Sequence, residues 1–352
     1  MNESWDSYPA GPPRRRLAIL FMAAVLVLLL LILVSLSTGA TSLGWGGVMQ
    51  VLASKLPLLS SPEGLAVDKA SAAIILDIRL PRTVLAVLVG AALSLAGALM
   101  QAFFRNVLAG PFVVGVSSGA AFGAVLAMVF GWNLSLIGLS AVPLCAFGGG
   151  LGVVLLVGLL YARAGGARVE SLLLTGIAVG AVLSAAASLV MVTSQESLQS
   201  ILFWLLGSLA SARWLHVGWI LPFFLLGAIP ALLLSRDLDA LAWGDEVAHS
   251  LGVSVGRVRG AVLVCATLLA SAAVAVAGII GFLGLMIPHI ARFLVGSRHA
   301  LVLPLSGLLG AILLLGADLA ARSLWAPTEL PIGAITAVLG APFLAYLCNR
   351  RP

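Results

Sequence analysis

The chain has 352 residues, of which 61% are hydrophobic and only 9% charged, with a formal net charge of +6. Soluble domains carry about 25% charged residues, so this composition excludes a soluble globular protein. The basic balance is read as cytoplasmic loops flanking a lipid bilayer, with no nucleic-acid partner.

In chain order, "MNESWDSYPAGPP" opens a short cytoplasmic tail over residues 1–16. Next comes "LAILFMAAVLVLLLLILVSL", from Leu17 to Leu36, long enough to cross the hydrocarbon because about 20 residues suffice. Arg14, Arg15 and Arg16 precede it, as in a secretory signal. The run exceeds the usual signal core of about 7–15 residues, so it reads as an uncleaved helix. The pattern recurs, giving expected spans at 17–37, 80–104, 113–131, 137–161, 170–193, 213–234, 259–279, 282–296, 301–321 and 331–349. The fold class is therefore an all-α polytopic membrane protein, with residues 17–352 as one transmembrane domain.

With a cytoplasmic N-terminus, thirteen of the 19 basic residues fall inside, and Lys55, Lys69, Arg79, Arg82, Arg213 and Arg322 fall outside. That asymmetry obeys the positive-inside rule and places both termini in the cytoplasm. Two regions are irregular. "GFLGLMIPHIARFLVG" carries Gly281, Gly284 and Pro288, so the eighth span reads as short and broken. Backbone freed there must be satisfied by protein or by a water-filled cavity. "SQESLQSILFWLLGSLASARW" reads as a re-entrant or interfacial helix. Both suit a substrate pathway, and both equally suit plain helix-end irregularity. Glycines spaced by four (Gly115, Gly119 and Gly123; Gly148 and Gly152; Gly176 and Gly180) predict faces where helices approach closely.

The helix centres hold hydroxyls such as Thr175, Ser184, Ser188, Thr267, Ser271 and Thr336 rather than charges; Asp318, Arg105 and Arg292 lie near ends. Ion-coupled carriers bind their ion near the midplane, so energy coupling is expected elsewhere, although backbone carbonyls could still hold Na⁺. The only lysines, Lys55 and Lys69, sit in no Gly-x-x-x-x-Gly-Lys-Ser/Thr pattern. The chain is therefore read as no enzyme, with no catalytic residues, and ATP hydrolysis is assigned to a separate subunit. Cys145, Cys265 and Cys348 are isolated, and His216, His249, His289 and His299 lack ligand spacing, so no metal site is expected.

Charge concentrates in "WGDEVAHSLGVSVGRVRG", Trp243 to Gly260, inside the longest internal loop. A short helix is expected from Asp245 to Leu251, with acids favouring its N-terminal dipole and Gly252 ending it, then a second short turn entering the seventh span, a two-helix elbow. Such an elbow makes a rigid docking knob; on composition alone it could equally be a solvated loop.

From about residue 70 the chain resembles the FecCD/BtuC family, the permease subunits of type II ATP-binding-cassette importers for ferric siderophores, haem and cobalamin. The likeness rests on "RLPRTVLAVLVGAALSLAGALMQAFFRNVLAGP", "GVSSGAAFGA", "GDEVAHSLGV", "GIIGFLGLMIPHIAR" and "ELPIGAITAVLGAPFLAYL", in that order. It implies a ten-helix permease paired around a central channel. The partners it implies are a cytoplasmic ATPase dimer carrying ATP and Mg, a second permease copy and an extracytoplasmic solute-binding protein. No cofactor would be bound by this chain. It implies that Gly244, Asp245, Glu246, Leu251 and Gly252 form the ATPase-coupling elbow near 240–257. Arg79, Arg82 and Arg322 would meet acidic residues of the binding protein, lipid headgroups being the rival partner. Asn106 and Leu108, then Val169 and Glu170, would form the cytoplasmic gate. The family usually has Asn-Pro-Leu-Ala where this chain has Asn-Val-Leu-Ala. The short helix around Phe203, Trp204, Gly207 and Ser208 would border the outer mouth.

The leading expectation is an ATP-driven importer of a bulky iron chelate, siderophore or haem, in a bacterial or archaeal cytoplasmic membrane. A corrinoid importer, an ion-coupled carrier and a passive channel remain the alternatives.

Overall fold

The computed structural model describes residues 13–39, 45–55, 69–132, 140–163, 169–192, 198–326 and 328–349. The expected tail lies outside these residues as far as position 12, as do the inside positions Arg168, Arg350 and Arg351. Helix α1 begins at Arg14 and runs to Ser37, three residues earlier than expected, because nothing in "RRR" breaks a helix. A further helix absent from the sequence reading, α2 (Trp45–Lys55), follows.

Lys69–Phe104 is one continuous helical rod. It comprises α3 (Lys69–Ala73), a π-helical stretch (Ile74–Arg79) and α4 (Leu80–Phe104). Widening to i→i+5 bonds shows in the Leu80 amide donating to the Ile75 carbonyl. The Leu76 carbonyl in that stretch accepts from the indole N–H of Trp214 at 2.9 Å. Then come α5 (Val116–Val129), α6 (Ala141–Arg163), α7 (Val169–Val192) and α8 (Leu198–Leu205). After them run α9 (Trp214–Leu233), α10 (Ser235–Ala242), α11 (Asp245–Ser250) and α12 (Val255–Ala277). The chain closes with α13 (Leu283–Val295), α14 (His299–Ser323) and α15 (Ile332–Asn349).

Each expected span thus meets a helix. Among the described residues, seven helical segments are long and apolar enough to cross a membrane, and α5, α13 and the Ile332–Tyr346 part of α15 are shorter. The break expected inside the eighth span precedes it instead. Gly278 and Phe282 both take positive φ, after which α13 runs unbroken through Pro288.

Burial sorts the helices. Their most apolar windows are 83% buried in the α3–α4 rod and 72% in α12, against 6% in α1 and 17% in α7. The rod and α12 therefore form the core, and α4 packs against α9, α12, α13 and α14. Without a hydrophobic force between helices in lipid, such packing depends on backbone approach. A Cβ on Gly97 would collide with the Gly284 carbonyl, joining α4 to α13, and one on Gly90 with the Gly310 carbonyl, joining α4 to α14. Between α5 and α6 the contacts are Gly119 on Gly149, and Gly123 on the Cys145 carbonyl. Gly148 and Gly152, expected to pack, meet nothing within 4 Å; the face of α6 that turns inward is the one bearing Gly149.

Candidate functional site

The alternating helices bring polar side chains to two opposite ends of the bundle. One end gathers the C-terminus of α1, the N-terminus of α4, the C-terminus of α14 and Glu329, which precedes α15. Arg82 is central here and only 9% exposed. Its Nη1 and Nη2 donate to the two Glu329 carboxylate oxygens at 2.8 and 3.0 Å, and its Nε donates to Asp318 Oδ1 at 2.9 Å. Asp318 is fully buried, and its other oxygen lies 3.4 Å from Arg322 Nε.

The remaining donors hold α1. Arg79 Nη1 donates to the Leu36 and Ser37 carbonyls at 2.7 and 3.1 Å. Arg322 donates to the Ser35 carbonyl at 3.1 Å, the Ser35 hydroxyl at 2.6 Å and the Thr38 carbonyl at 3.2 Å. Cations here suit the unpaired carbonyls and negative dipole end of α1. Thr83 gives its proton to the Arg79 carbonyl at 2.8 Å, so the Ser35 hydroxyl, 2.7 Å away, donates to Thr83.

An exposed positive rim was expected from these arginines. Instead Arg79 and Arg82 are buried and Arg322 half-buried, because the chain supplies their carboxylates and carbonyls itself. The sequence reading had placed Asp318 at this end without its partner and had missed Glu329. The one signal for Glu329 was an acid just ahead of an apolar span at the same end.

At the opposite end the elbow is two helices, as expected, but the second, α10, precedes Asp245, where a short turn after Gly252 had been expected; past Gly252 the chain enters α12 directly at Val255. Leu238 and Leu241 bury the inner face of α10. Asp239 Oδ1 accepts from the His299 backbone amide at 2.8 Å and lies 2.7 Å from its Nδ1, capping the start of α14. Gly244, at φ 113°, makes the bend that only glycine adopts without strain.

Asp245 turns inward. Its Oδ1 lies 2.8 Å from Arg259 Nη2 on α12 and 3.3 Å from Arg105 Nη2 at the end of α4. Arg105 and Asp245 are 40% and 42% exposed, and exposed pairs of this kind contribute only about 0.2–1 kcal/mol to stability. The outward face carries Glu246, Gly252, Trp243 (72% exposed), Val247 (45%) and Leu251 (67%). The five elbow positions therefore divide: Glu246, Leu251 and Gly252 face out, whereas Gly244 and Asp245 meet the bundle.

Beside Arg105, the Asn106 side-chain oxygen accepts from the Leu108 amide at 2.9 Å, and the Ala109 amide donates to the Asn106 carbonyl at 3.1 Å. This Asx-type turn fixes the loop that the family proline would otherwise stiffen. Val107 is buried beneath it and Leu108 is exposed. Val169 and Glu170 begin α7, which packs on α5 and α6. No hydrogen bond or ion pair joins these two segments, expected to form a gate, among the described residues. Nearby, Arg292 on α13 is fully buried and donates to Gln101, whose amide nitrogen donates to the Leu285 carbonyl.

Back at the first end, Phe203 and Trp204 line a cavity of about 610 Å³ with Ser208, Arg213 and His216. Gly207, at φ 74°, lets the end of α8 lie against the Ile279 carbonyl. The Ser208 amide donates to the Ala277 carbonyl at 2.9 Å, and the Ile332 amide donates to the Gly207 carbonyl at 3.0 Å. These bonds pin α8 between the ends of α12 and α15.

The model of the FecCD transport family matches residues 27–350, so the chain belongs to that family. It is a multi-pass membrane permease. It is 45% identical over 280 residues, 79% of each chain, to an uncharacterized ABC transporter permease, YvrB of Bacillus subtilis. It is 42% identical over 282 residues to the hemin transport permease HmuU of Yersinia pestis, covering 78% of this chain and 83% of that one. Relatives named for cobalamin, ferric citrate and ferric hydroxamate import also match over most of the chain. Among solved structures, an ABC transporter described as metal-chelate type, in an inward-facing conformation, is 34% identical with a TM-score of 0.82. The match covers 95% of this chain and 100% of that one.

Proposed function

We propose that this chain is the permease of an ATP-driven importer that carries a bulky iron chelate, a ferric siderophore or haem, inward by alternating access. The reading supported on cargo is a class rather than a compound, since similar relatives are named for hemin, ferric citrate, ferric hydroxamate and cobalamin. A corrinoid importer of the same family is the second reading. Residues 17–352 act as one permease unit in the cytoplasmic membrane, with both termini and the α10–α11 elbow inside.

The observation that carries the proposal is the elbow. In a chain that keeps its charges at helix ends, it presents Trp243, Val247 and Leu251 to the surface beside Glu246. A small apolar knob held on a rigid mount suits a groove on a cytoplasmic ATPase dimer, which would bind ATP and Mg. Gly244 and Gly252 supply its bends. A second permease copy would cover the apolar faces of α7 and α15, where Leu174, Val182, Leu189 and Val338 are exposed. The cavity at Phe203 and Trp204 would border the outer mouth, and Asn106, Leu108, Val169 and Glu170 would line the inner gate. An extracytoplasmic binding protein would dock at the arginine-rich end. Its acids would have to compete with Glu329 for Arg82, because that guanidinium is already occupied.

The test is purification from native membranes in mild detergent, with mass spectrometry of co-eluting proteins and small molecules. A P-loop ATPase in the eluate supports the importer, and bound haem, siderophore or corrinoid names the cargo. Absence of any ATPase, together with uptake driven by a cation gradient, would overturn the reading.

A further inference from the structure

Resting on the importer reading, we propose that Asp245 is not a docking contact but the positioning residue that passes movement of the elbow to the Arg105–Gly110 turn. Three observations point this way. First, the Asp245 carboxylate faces the bundle, 2.8 Å from Arg259 Nη2 and 3.3 Å from Arg105 Nη2, whereas its neighbour Glu246 faces out. Second, Arg105 is the last point of α4, the most buried helix, and sits at φ 50°, a left-handed conformation in which a non-glycine residue is strained. The turn that follows hangs from that one residue: the Asn106 amide still bonds back to the Gln101 carbonyl at 3.1 Å, and Leu108 then projects outward. Third, the elbow is held at a second point by Asp239 on the start of α14. The elbow is thus tied to the bundle through Asp239 on one helix and Asp245 on the other.

In this arrangement a tilt of α11 changes the Asp245–Arg105 distance, now 3.3 Å. Arg259 fixes the carboxylate on the α12 side, and Arg105 receives the displacement at the head of the turn. The half-exposed pair is too weak to be a stability device, and its consequence is directional: it ties the segment that meets a partner to the segment that carries Leu108.

The test uses the complete chain, purified with the ATPase it carries and with its three native cysteines replaced by alanine. Leu108→Cys serves as a reporter for a membrane-impermeant maleimide, so no cargo is needed. In the parent, ATP with vanadate changes the labelling rate about fivefold or more, the lower end of typical coupling between sites. Asp245→Asn and Arg105→Gln each abolish that change while the ATPase still co-purifies and hydrolyses ATP. The double variant loses nothing further, and Arg105→Lys restores the response. If Asp245→Asn fails to accumulate, Arg105→Gln with its lysine rescue carries the test alone. Retention of the ATP-dependent change in both single variants overturns the proposal. So does loss of the ATPase from Asp245→Asn alone, which makes Asp245 a docking contact. A parent chain that brings down no ATPase overturns the importer reading itself.

Discussion

Arg82 and Glu329, 247 residues apart in the chain, meet through two parallel N–H···O bonds of 2.8 and 3.0 Å, with the buried Asp318 carboxylate on the guanidinium Nε. One arginine thereby joins α4, α14 and the segment leading into α15. Fork-to-fork geometry gives the contact directional specificity, while the partial exposure of Glu329 limits its energy.

Removing one partner should destabilise the fold sharply. Asp318→Asn and Arg82→Gln each break the buried, hydrogen-bonded ion pair between these two residues, a loss of about 3–5 kcal/mol. Glu329, whose side chain is 37% exposed, should matter less: Glu329→Gln is expected to lose about 1 kcal/mol. Thermal unfolding of the detergent-solubilised protein should rank the three in that order, and equal midpoints for Asp318→Asn and wild type would refute the network's role.

The helix crossings give a second ranking. Gly97→Ala places a methyl group inside the Gly284 backbone of α13, so α4 and α13 must separate. Overpacking of this kind loses about 1–3 kcal/mol. Gly148→Ala and Gly152→Ala face open space and should leave yield and gel-filtration profile unchanged. The comparison is made in one expression series.

On the outward elbow face, Leu251→Asp and Trp243→Ser should release the ATPase without altering the permease's own thermal midpoint. Truncating a central anchor typically removes about 2 kcal/mol or more of binding, roughly 30-fold in affinity. Co-purification and the unaltered midpoint are read on the same preparation. Loss of both together would make the face structural instead.

Asn106→Ala removes the side-chain oxygen that holds the Leu108 amide. One such bond contributes about 1 kcal/mol, so the open form of the turn should rise about fivefold. Proteolysis tracks the open population when closing is fast. Trypsin cleavage after Arg105 in inverted membrane vesicles should increase accordingly.

Much of the molecule is legible from hydropathy. The second span begins at Lys69, eleven residues before its expected start. The apolar runs located the other spanning helices to within a few residues, because a helix in lipid must satisfy its backbone internally and be apolar along its length. That requirement is local, so composition reveals it. The elbow was legible for a related reason: charge, an N-terminal acid pair and a glycine stop are all sequence-adjacent. The helix from Ser235 to Ala242 escaped notice because its inner face, Leu238 and Leu241, blends into the preceding apolar span.

What sequence alone determined, then, is a bundle of membrane helices of the FecCD type with a charged bend at one end. Only the tertiary structure decided which way each helix face turns. Gly149, not Gly148 or Gly152, meets α5; Asp245 points in while Glu246 points out; and the arginines read as a free rim are spent on Asp318, Glu329 and the end of α1. The physical reason is rotational. A turn of about 100° per residue carries neighbouring side chains to different faces, and which face meets a partner depends on helices hundreds of residues away.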